Sequence, residues 1–515
     1  MVASAHPLAT LAGVEVLKTG GTAADAAVAI NAVLAVTQPY CCGVGGDLFC
    51  LYHDAASGRV AFLNGAGRSG SRATFAEVER RGWRALPAIG PATVSVPGCV
   101  LGWTMLLERF GTRPLADLLA PAIHYAADGF PVTSLVSQAI AEFMPVNTDP
   151  EWHRIFAPDG RAPALGDRLR QPDLARTLTE LGVEGTDPFY RGRVARSIAT
   201  RLDAEGFVTE DDLAAHTGEW GEPIATSYRG VTVYQTPPPT QGVAALLALN
   251  LLQGFTVARH PVHSVQHLHL LLEMVKLAYA DRDRWIGDPA HGAVPVAGLL
   301  SAEYAARRRA TFDGKKAQPH VWGNPEGDTT GFVVADSRGN VASVIQSLFN
   351  VFGSGVVAPG TGVLLHNRGR HFQLEAGHPS VLAPRKRPFH TLIASIATRQ
   401  ARPLFALATM GGNGQAMFHV QIVTNLLDYG MDIQEAIERP RFLIGPFLPD
   451  DPVDTIQLES RLPPPVVSQL ARRGHRIRMA PPLFQKMGHA HGLVLRDGTF
   501  MGGADPRGDG AALGF

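Results

Sequence analysis

The sequence changes character abruptly around residue 329, and that change limits what the chain can fold into. From Arg307 to Asp328 it is rich in Arg, Lys, Gln, Pro and Gly, the texture of an exposed and cleavable linker. Then come Gly331-Phe-Val-Val-Ala-Asp336, the turn Ser337-Arg-Gly-Asn340 and Val341-Ala-Ser-Val-Ile-Gln-Ser347. Two strongly apolar runs around a short turn predict a β-hairpin. A polar loop thus delivers Thr329 to the start of a buried strand.

The rest of the chain must supply what buries that hairpin. At 515 residues it exceeds one ordinary hydrophobic core, so two domains or one large layered unit are expected. Near the N-terminus, Thr22-Ala-Ala-Asp25 is a capping box for an apolar helix over 26–36, which Gln38-Pro39 ends. Gly43-Val-Gly-Gly46 turns into a strand reaching Tyr52, with 60–63 as its pairing partner. A glycine cluster that leads into a strand is badly placed to cradle phosphate, which needs a helix N-terminus. The middle, 106–288, reads as mostly helical, including a helix capped by Thr240 and Gly254 and another over 264–285. Strands near 363–365 and 404–409 and a helix over 417–428 complete the pattern.

Composition excludes several partners. Lys+Arg and Asp+Glu are equal at 46 each, which offers neither nucleic acid nor an anionic membrane the basic excess it needs. A small-molecule substrate fits better. The apolar helix over 26–36 is too short to span a bilayer, and the first 21 residues lack the pattern of a secretory signal, so a cytoplasmic protein is expected. Cys41, Cys42, Cys50 and Cys99 contain no C-x-x-C pair and are read as reduced structural thiols. His267 and His269 lie two apart on a helix and point in different directions, while His489/His491 and His366/His371 lack acidic or thiolate partners at supporting spacing. No metal and no cofactor are expected.

The chemistry rests on Thr329. An internal threonine is a poor nucleophile without an adjacent base. A threonine made N-terminal brings its own, because an α-amino group with a pKa of roughly 7.7–8.0 is partly neutral near neutral pH. Its hydroxyl must first attack the carbonyl of Asp328 to cut the chain. Taken alone, Asp328-Thr329-Thr330 before a strand is a weak signal, since threonine is common in strands.

A longer ordered series strengthens it. Gly20-Gly-Thr-Ala-Ala-Asp-Ala-Ala-Val28, Gly43-Val-Gly-Gly46, Pro91-Ala-Thr-Val-Ser-Val-Pro-Gly98, Thr329-Thr330 with Asp336 and Gly339-Asn340, Phe352-Gly-Ser-Gly355, Gly411-Gly412 and Ala504-Asp-Pro-Arg507 together resemble the γ-glutamyltransferases of the N-terminal nucleophile hydrolase superfamily. The resemblance spans nearly the whole chain. It implies an α+β fold, a four-layer αββα sandwich cut from one precursor into subunits 1–328 and 329–515, which pair as a heterodimer with higher assembly left open. It places the nucleophile on Thr329, the cleavage between Asp328 and Thr329, and the oxyanion-binding amides on Gly411 and Gly412. Ser347 stands where the family often has a threonine hydroxyl near the nucleophile's amine.

The substrate pocket departs from that pattern. The arginine that grips an α-carboxylate in typical members falls near Ala66, with Arg68 two positions on, and an expected asparagine falls on Phe349 beside Asn350. In Leu364-Leu-His-Asn-Arg-Gly-Arg-His371, Asn367 keeps its place, but Arg368 and His371 replace Gln and Asp; His390-Thr391 replace paired serines. Loss of the Asp removes a counter-charge for a substrate ammonium. The reading is a self-processing amide hydrolase or acyltransferase acting on γ-glutamyl compounds such as glutathione. Its alternatives are a non-glutamyl amidohydrolase resembling oxamate amidohydrolase or cephalosporin acylase, and an uncleaved inactive binding protein.

Overall fold

The computed structural model describes residues 1–319, the backbone of Asp328, 329–446 and 451–515. Two antiparallel sheets stack face to face. The first has seven strands, in the order Ala511–Leu513, Val2–Ser4, Asp328–Ala335, Val341–Phe349, Asp47–Asp54, Arg59–Asn64 and Glu219–Gly221; the second has six, in the order Thr499–Ala504, Ala490–Arg496, Arg402–Thr409, Ala394–Arg399, Val231–Gln235 and Ile224–Tyr228.

The alternation of strand side chains fixes which layer each residue serves. Val333, Ala335, Val341 and Ile345 point between the sheets, where they meet Ala394, Ile396, Ala406 and Ala408. Phe332, Val334, Ala342 and Val344 point the other way, into a core shared with the helices Pro7–Lys18, Ala23–Thr37 and Leu115–Asp128. The second sheet is covered by Gly242–Leu252, Val265–Trp285 and Gln415–Leu427. The result is the αββα sandwich. Both faces of the central strands are buried, which is why they read as continuous apolar runs rather than as alternating ones.

The expected hairpin is present, but its first strand begins at Asp328, so Thr329 and Thr330 lie inside the strand rather than before it. The capping box at Thr22 and Asp25 forms as read. The middle of the chain is mostly helical as read, but it also carries a hairpin that sequence reading passed over: Ile224–Tyr228 and Val231–Gln235 pair at the edge of the second sheet, with Arg229 and Gly230 at positive φ in the turn. Two expectations are corrected. Thr240 and Gly254 are not the caps of the next helix: it runs from Gly242 to Leu252 with Gln241 and Gln253 in the cap positions, while the Thr240 hydroxyl donates to the Thr236 carbonyl and accepts from the Gly242 N–H. Arg307–Arg309 close a helix, Ala302–Arg309, rather than open the linker, whose residues 320–327 lie outside the described ones. All four cysteines are buried and no disulfide links them. Among the described residues no helix is long and apolar enough to cross a membrane.

Candidate active site

Strand alternation separates the two threonines that the sequence sets side by side. The Thr330 hydroxyl donates to Gln38 Oε1 at 3.2 Å, on the helix side of the sheet. Thr329 takes the opposite face. Its Oγ1 donates to Ser347 Oγ at 3.3 Å and accepts from Gln415 Nε2 at 3.2 Å, all three residues being fully buried.

The partner strand is irregular here. Gln346 pairs with Thr330, but Phe349 pairs with Asp328, so a bulge lies opposite Thr329. Bulges re-aim side chains beside functional sites, and this one turns the Phe349 N–H onto Ser347 Oγ at 2.7 Å. Phe349 itself sits at φ +81°, which costs a residue with a Cβ about 1–2 kcal/mol. Its buried ring is held between the Arg368 guanidinium, 4.4 Å from the ring centre, and the His371 ring at 4.1 Å.

Gly411 and Gly412 follow the strand Arg402–Thr409, with φ of +124° and +52°. A Cβ on Gly411 would lie 2.6 Å from the Phe418 ring, so both backbone and space demand glycine there. Neither of their N–H groups has a protein acceptor among the described residues. Gln241 clamps the turn from behind, its Nε2 donating to the carbonyls of Gly412 and Thr391 at 2.9 and 2.7 Å. Arg282 then donates to Gln241 Oε1 and Asn413 Oδ1. A cavity of about 290 Å³ opens against this turn, walled by Asn413, Phe349, His371, Phe389 and Arg282.

Behind Phe349 lies a buried charged group. Arg368 is fully buried; its Nη1 donates to Thr391 Oγ1 at 3.1 Å, while Nε and Nη2 make no hydrogen bond among the described residues. Asp47 Oδ2 stands 4.0 Å from Arg368 Nε, 3.1 Å from His366 Nδ1 and 3.9 Å from His390 Nδ1. Burial alone would raise the Asp47 carboxyl, but His366, His390 and Arg368 outweigh it and hold it below the usual carboxylate range. Burial pushes Arg368 down to about 9, against the pull of Asp47, and it is still a cation at neutral pH. Burial, reinforced by Arg368, lowers His371 to about 3, so that ring is neutral and its Nδ1 meets the Phe389 carbonyl. His390 is likewise driven down by burial, and neither ring nitrogen makes a hydrogen bond among the described residues.

The structure therefore gathers Thr329, Ser347, Gly411, Gly412, Thr391, Arg368, His371 and His390 around one region of the sandwich. Asn367 adjoins it in a bracing position, accepting from the Asn350 N–H and donating to the Ala88 carbonyl. Arg68 turns away, toward the carbonyl and hydroxyl of Thr217. The Asp328 side chain lies outside the described residues. Sequence reasoning missed Gln415, Gln241 and Asp47. The first two are ordinary buried glutamines until the fold brings them together, and Asp47 was hidden behind the glycine turn that precedes it.

A second group of ligating side chains also escaped notice. His269, Glu273 and His475 bring one ligand atom each within 4.8 Å of one another. His269 and Glu273 are four apart on one helix, which is a legible signal, but His475 is remote in sequence. The Lys276 ammonium donates to Glu273 at 2.9 Å and to His475 Nδ1 at 3.4 Å, and His269 bonds His475 directly at 2.8 Å. A resident lysine cation and direct imidazole contact fit a hydrogen-bonded network better than a metal site.

Comparison with known proteins agrees with this architecture. Residues 9–515 match the family described as Gamma-glutamyltranspeptidase. The Glutathione hydrolase-like YwrD proenzyme of Bacillus subtilis is 38% identical over 100% of this chain and 98% of its own length. The Oxamate amidohydrolase proenzyme of Klebsiella pneumoniae is 36% identical over 100% and 98%. The crystal structure of cephalosporin acylase from Bacillus halodurans superposes with a TM-score of 0.92 at 36% identity, covering 99% of this chain and 94% of that one. These relatives are hydrolases and acylases, two of them named as proenzymes, and the chain belongs with them to the gamma-glutamyltranspeptidase family.

Proposed function

We propose that the chain is a precursor cut between Asp328 and Thr329, and that fragments 1–328 and 329–515 remain together as a heterodimeric amide hydrolase with Thr329 as nucleophile. The observation that carries this is the buried Thr329 hydroxyl, held between Ser347 Oγ and Gln415 Nε2 on the first turn of the strand that follows the linker. The sheets support lasting association. Val2–Ser4 lies between two strands of the second fragment, and Val231–Gln235 of the first pairs with Ala394–Arg399 of the second.

In maturation, Thr329 Oγ1 attacks the Asp328 carbonyl carbon, the C–N bond breaks, and the hydroxyl proton ends on the Thr329 nitrogen. Water then hydrolyses the ester, leaving an Asp328 carboxylate and a free Thr329 amine. In turnover that amine, when neutral, takes the hydroxyl proton as Oγ1 attacks a substrate amide. The N–H groups of Gly411 and Gly412 receive the developing oxyanion, an interaction worth about 3–4 kcal/mol where it has been measured. The leaving amine carries the proton away and water, or an acceptor amine, resolves the acyl-enzyme. An intact mass under denaturing conditions tests the scheme: wild type should give two fragments divided at Asp328/Thr329, and Thr329→Ala one whole chain. A wild type that stays whole overturns it.

For the substrate, the unbonded N–H groups of Arg368 favour an acyl group bearing a carboxylate, because Arg matches that geometry in pairs of hydrogen bonds. Oxamate is such an amide. The second reading, a γ-glutamyl amide, is favoured by the glutathione hydrolase relatives; against it, Asp47 already faces the Arg368 cation, with Nε at 4.0 Å, and His366 Nδ1 at 3.1 Å, and so offers less to a substrate ammonium. Release of ammonia from oxamate, set against p-nitroaniline release from γ-glutamyl-p-nitroanilide, decides between them.

A further inference from the structure

Thr329 Oγ1 is held by a residue that neither the sequence motifs nor the family pattern singled out. Gln415 is the first residue of the helix Gln415–Leu427, only three positions beyond Gly412, and its side chain is fully buried. The network fixes its orientation. The Ile393 N–H can only donate, and it faces Gln415 at 3.0 Å, so the atom there is Oε1. The amide nitrogen therefore faces Thr329, and Oγ1 is the acceptor. With its own hydrogen directed at Ser347 Oγ, Oγ1 has a defined rotamer and lone-pair direction.

We propose that Gln415 is a further catalytic residue, which donates to Thr329 Oγ1 and stabilises the negative charge that gathers there as the hydroxyl proton departs, in chain cleavage and in acyl transfer alike. A hydrogen bond to an oxygen gaining charge strengthens as the charge grows, so it favours the transition state over the resting state. Gln415 also belongs to the same short segment as Gly411 and Gly412. One turn thus sets the nucleophile's oxygen and the oxyanion donors in a fixed relation, the kind of preorganisation that electrostatic catalysis requires.

This inference rests on Thr329 being the nucleophile, and the experiment separates the two. Processing of the full-length precursor is followed by intact mass across pH for wild type, Gln415→Glu, Gln415→Ala and Thr329→Ala. Gln415→Glu is isosteric and keeps an oxygen for the Ile393 N–H. Ionised, it presents a lone pair and a negative charge to Oγ1; protonated, it offers a hydroxyl donor again. Processing should fall about a hundredfold in Gln415→Ala, the scale of losing one such donor. In Gln415→Glu, the rate relative to wild type should climb as pH falls through the carboxyl's titration, a response that a merely structural glutamine would not give. Melting temperature monitors folding in each variant. If wild type divides at Asp328/Thr329 and Gln415→Glu keeps pace at every pH, Gln415 has no such role. If wild type itself does not divide there, it is the Thr329 assignment that fails.

Discussion

Of the buried charged side chains in this molecule, those around Glu273 and those around Asp47 differ in how completely they are satisfied. Around Glu273 the side chains of Glu273, Lys276, His475 and His269 are joined in a directed chain. The Gln318 N–H donates to Glu273, Lys276 donates to Glu273 and to His475 Nδ1, His475 and His269 share a hydrogen bond, and His269 Nε2 meets the Asp313 carbonyl. Around Asp47 the charges approach one another, yet two nitrogens of Arg368 and both of His390 make no hydrogen bond among the described residues. Both groups are buried, so burial alone does not tell them apart. Unsatisfied donors do distinguish the Asp47 group from the Glu273 chain, and an orphaned buried polar group costs about 1–3 kcal/mol unless a ligand completes it. Removing a member should therefore damage stability in the first group and turnover in the second.

The largest effect is expected from Lys276→Met. It leaves Glu273 in the interior without its cation, and breaking a buried pair this way costs about 3–5 kcal/mol. Urea denaturation should show that loss, while turnover per folded molecule stays at the wild-type level. A drop in turnover without a drop in stability would reverse the comparison.

Arg368→Met is the counterpart. The change keeps bulk over the Phe349 ring and removes the unbonded N–H groups. Hydrogen bonds to a charged group contribute about 1.5–3 kcal/mol, so kcat/KM on a carboxylate-bearing amide should fall roughly ten- to a hundredfold. Division at Asp328/Thr329 should continue, since that step needs no substrate. An Arg368→Met enzyme as active as wild type removes the reason for calling the Asp47 group a binding site.

Acid should find the Glu273 group from another direction. Burial first, then Lys276, His269 and Arg473, lower His475 from its ordinary value near 6.5 to about 3, and burial lowers His269 in the same sense. Both rings are thus neutral in the fold and gain a proton on unfolding at acid pH. Their contribution to stability is complete above pH 6.5 and is lost as pH falls toward the folded value, at about 1.4 kcal/mol per pH unit for each proton taken up. His475→Leu, less stable at pH 7.5, should lose stability less steeply between pH 6.5 and 5 by close to one proton. Parallel slopes in the two proteins would show that His475 does not titrate on unfolding.

The contrast also explains what could be read from the sequence. Individual elements were legible because their signals are local: the hairpin over 331–347, the Thr22–Asp25 box and the glycine turn before Asp47 each speak through neighbouring residues, whereas the four-layer sandwich was implied by family resemblance. The strands Ile224–Tyr228 and Val231–Gln235 were lost inside a mainly helical stretch, although their Arg229-Gly230 turn was there to be seen. Thr329, Ser347 and the two glycines were placed through family resemblance. Gln415, Asp47 and His475 carry no local signal, since their meaning comes from partners that are 86, hundreds and 206 residues away along the chain.

Arg68 brings the smallest expected effect and the sharpest use of the comparison. By position in the sequence it is the nearest candidate for the missing carboxylate-gripping arginine, and by charge it equals Arg368. Its surroundings differ. Arg68 reaches the carbonyl and hydroxyl of Thr217 at 3.4 and 3.5 Å, contacts that are long and part of the exposed surface, whereas Arg368 is buried with donors to spare. Exposed polar contacts of this kind contribute little, and surface substitutions away from special features usually stay within about 0.5 kcal/mol. Arg68→Ala should therefore leave KM for a carboxylate-bearing amide within about twofold of wild type and the urea midpoint almost unmoved. A tenfold rise in KM would mean that Arg68 swings into the cavity when substrate binds, and that unsatisfied donors in the resting enzyme are not a sufficient guide to which arginine holds the carboxylate.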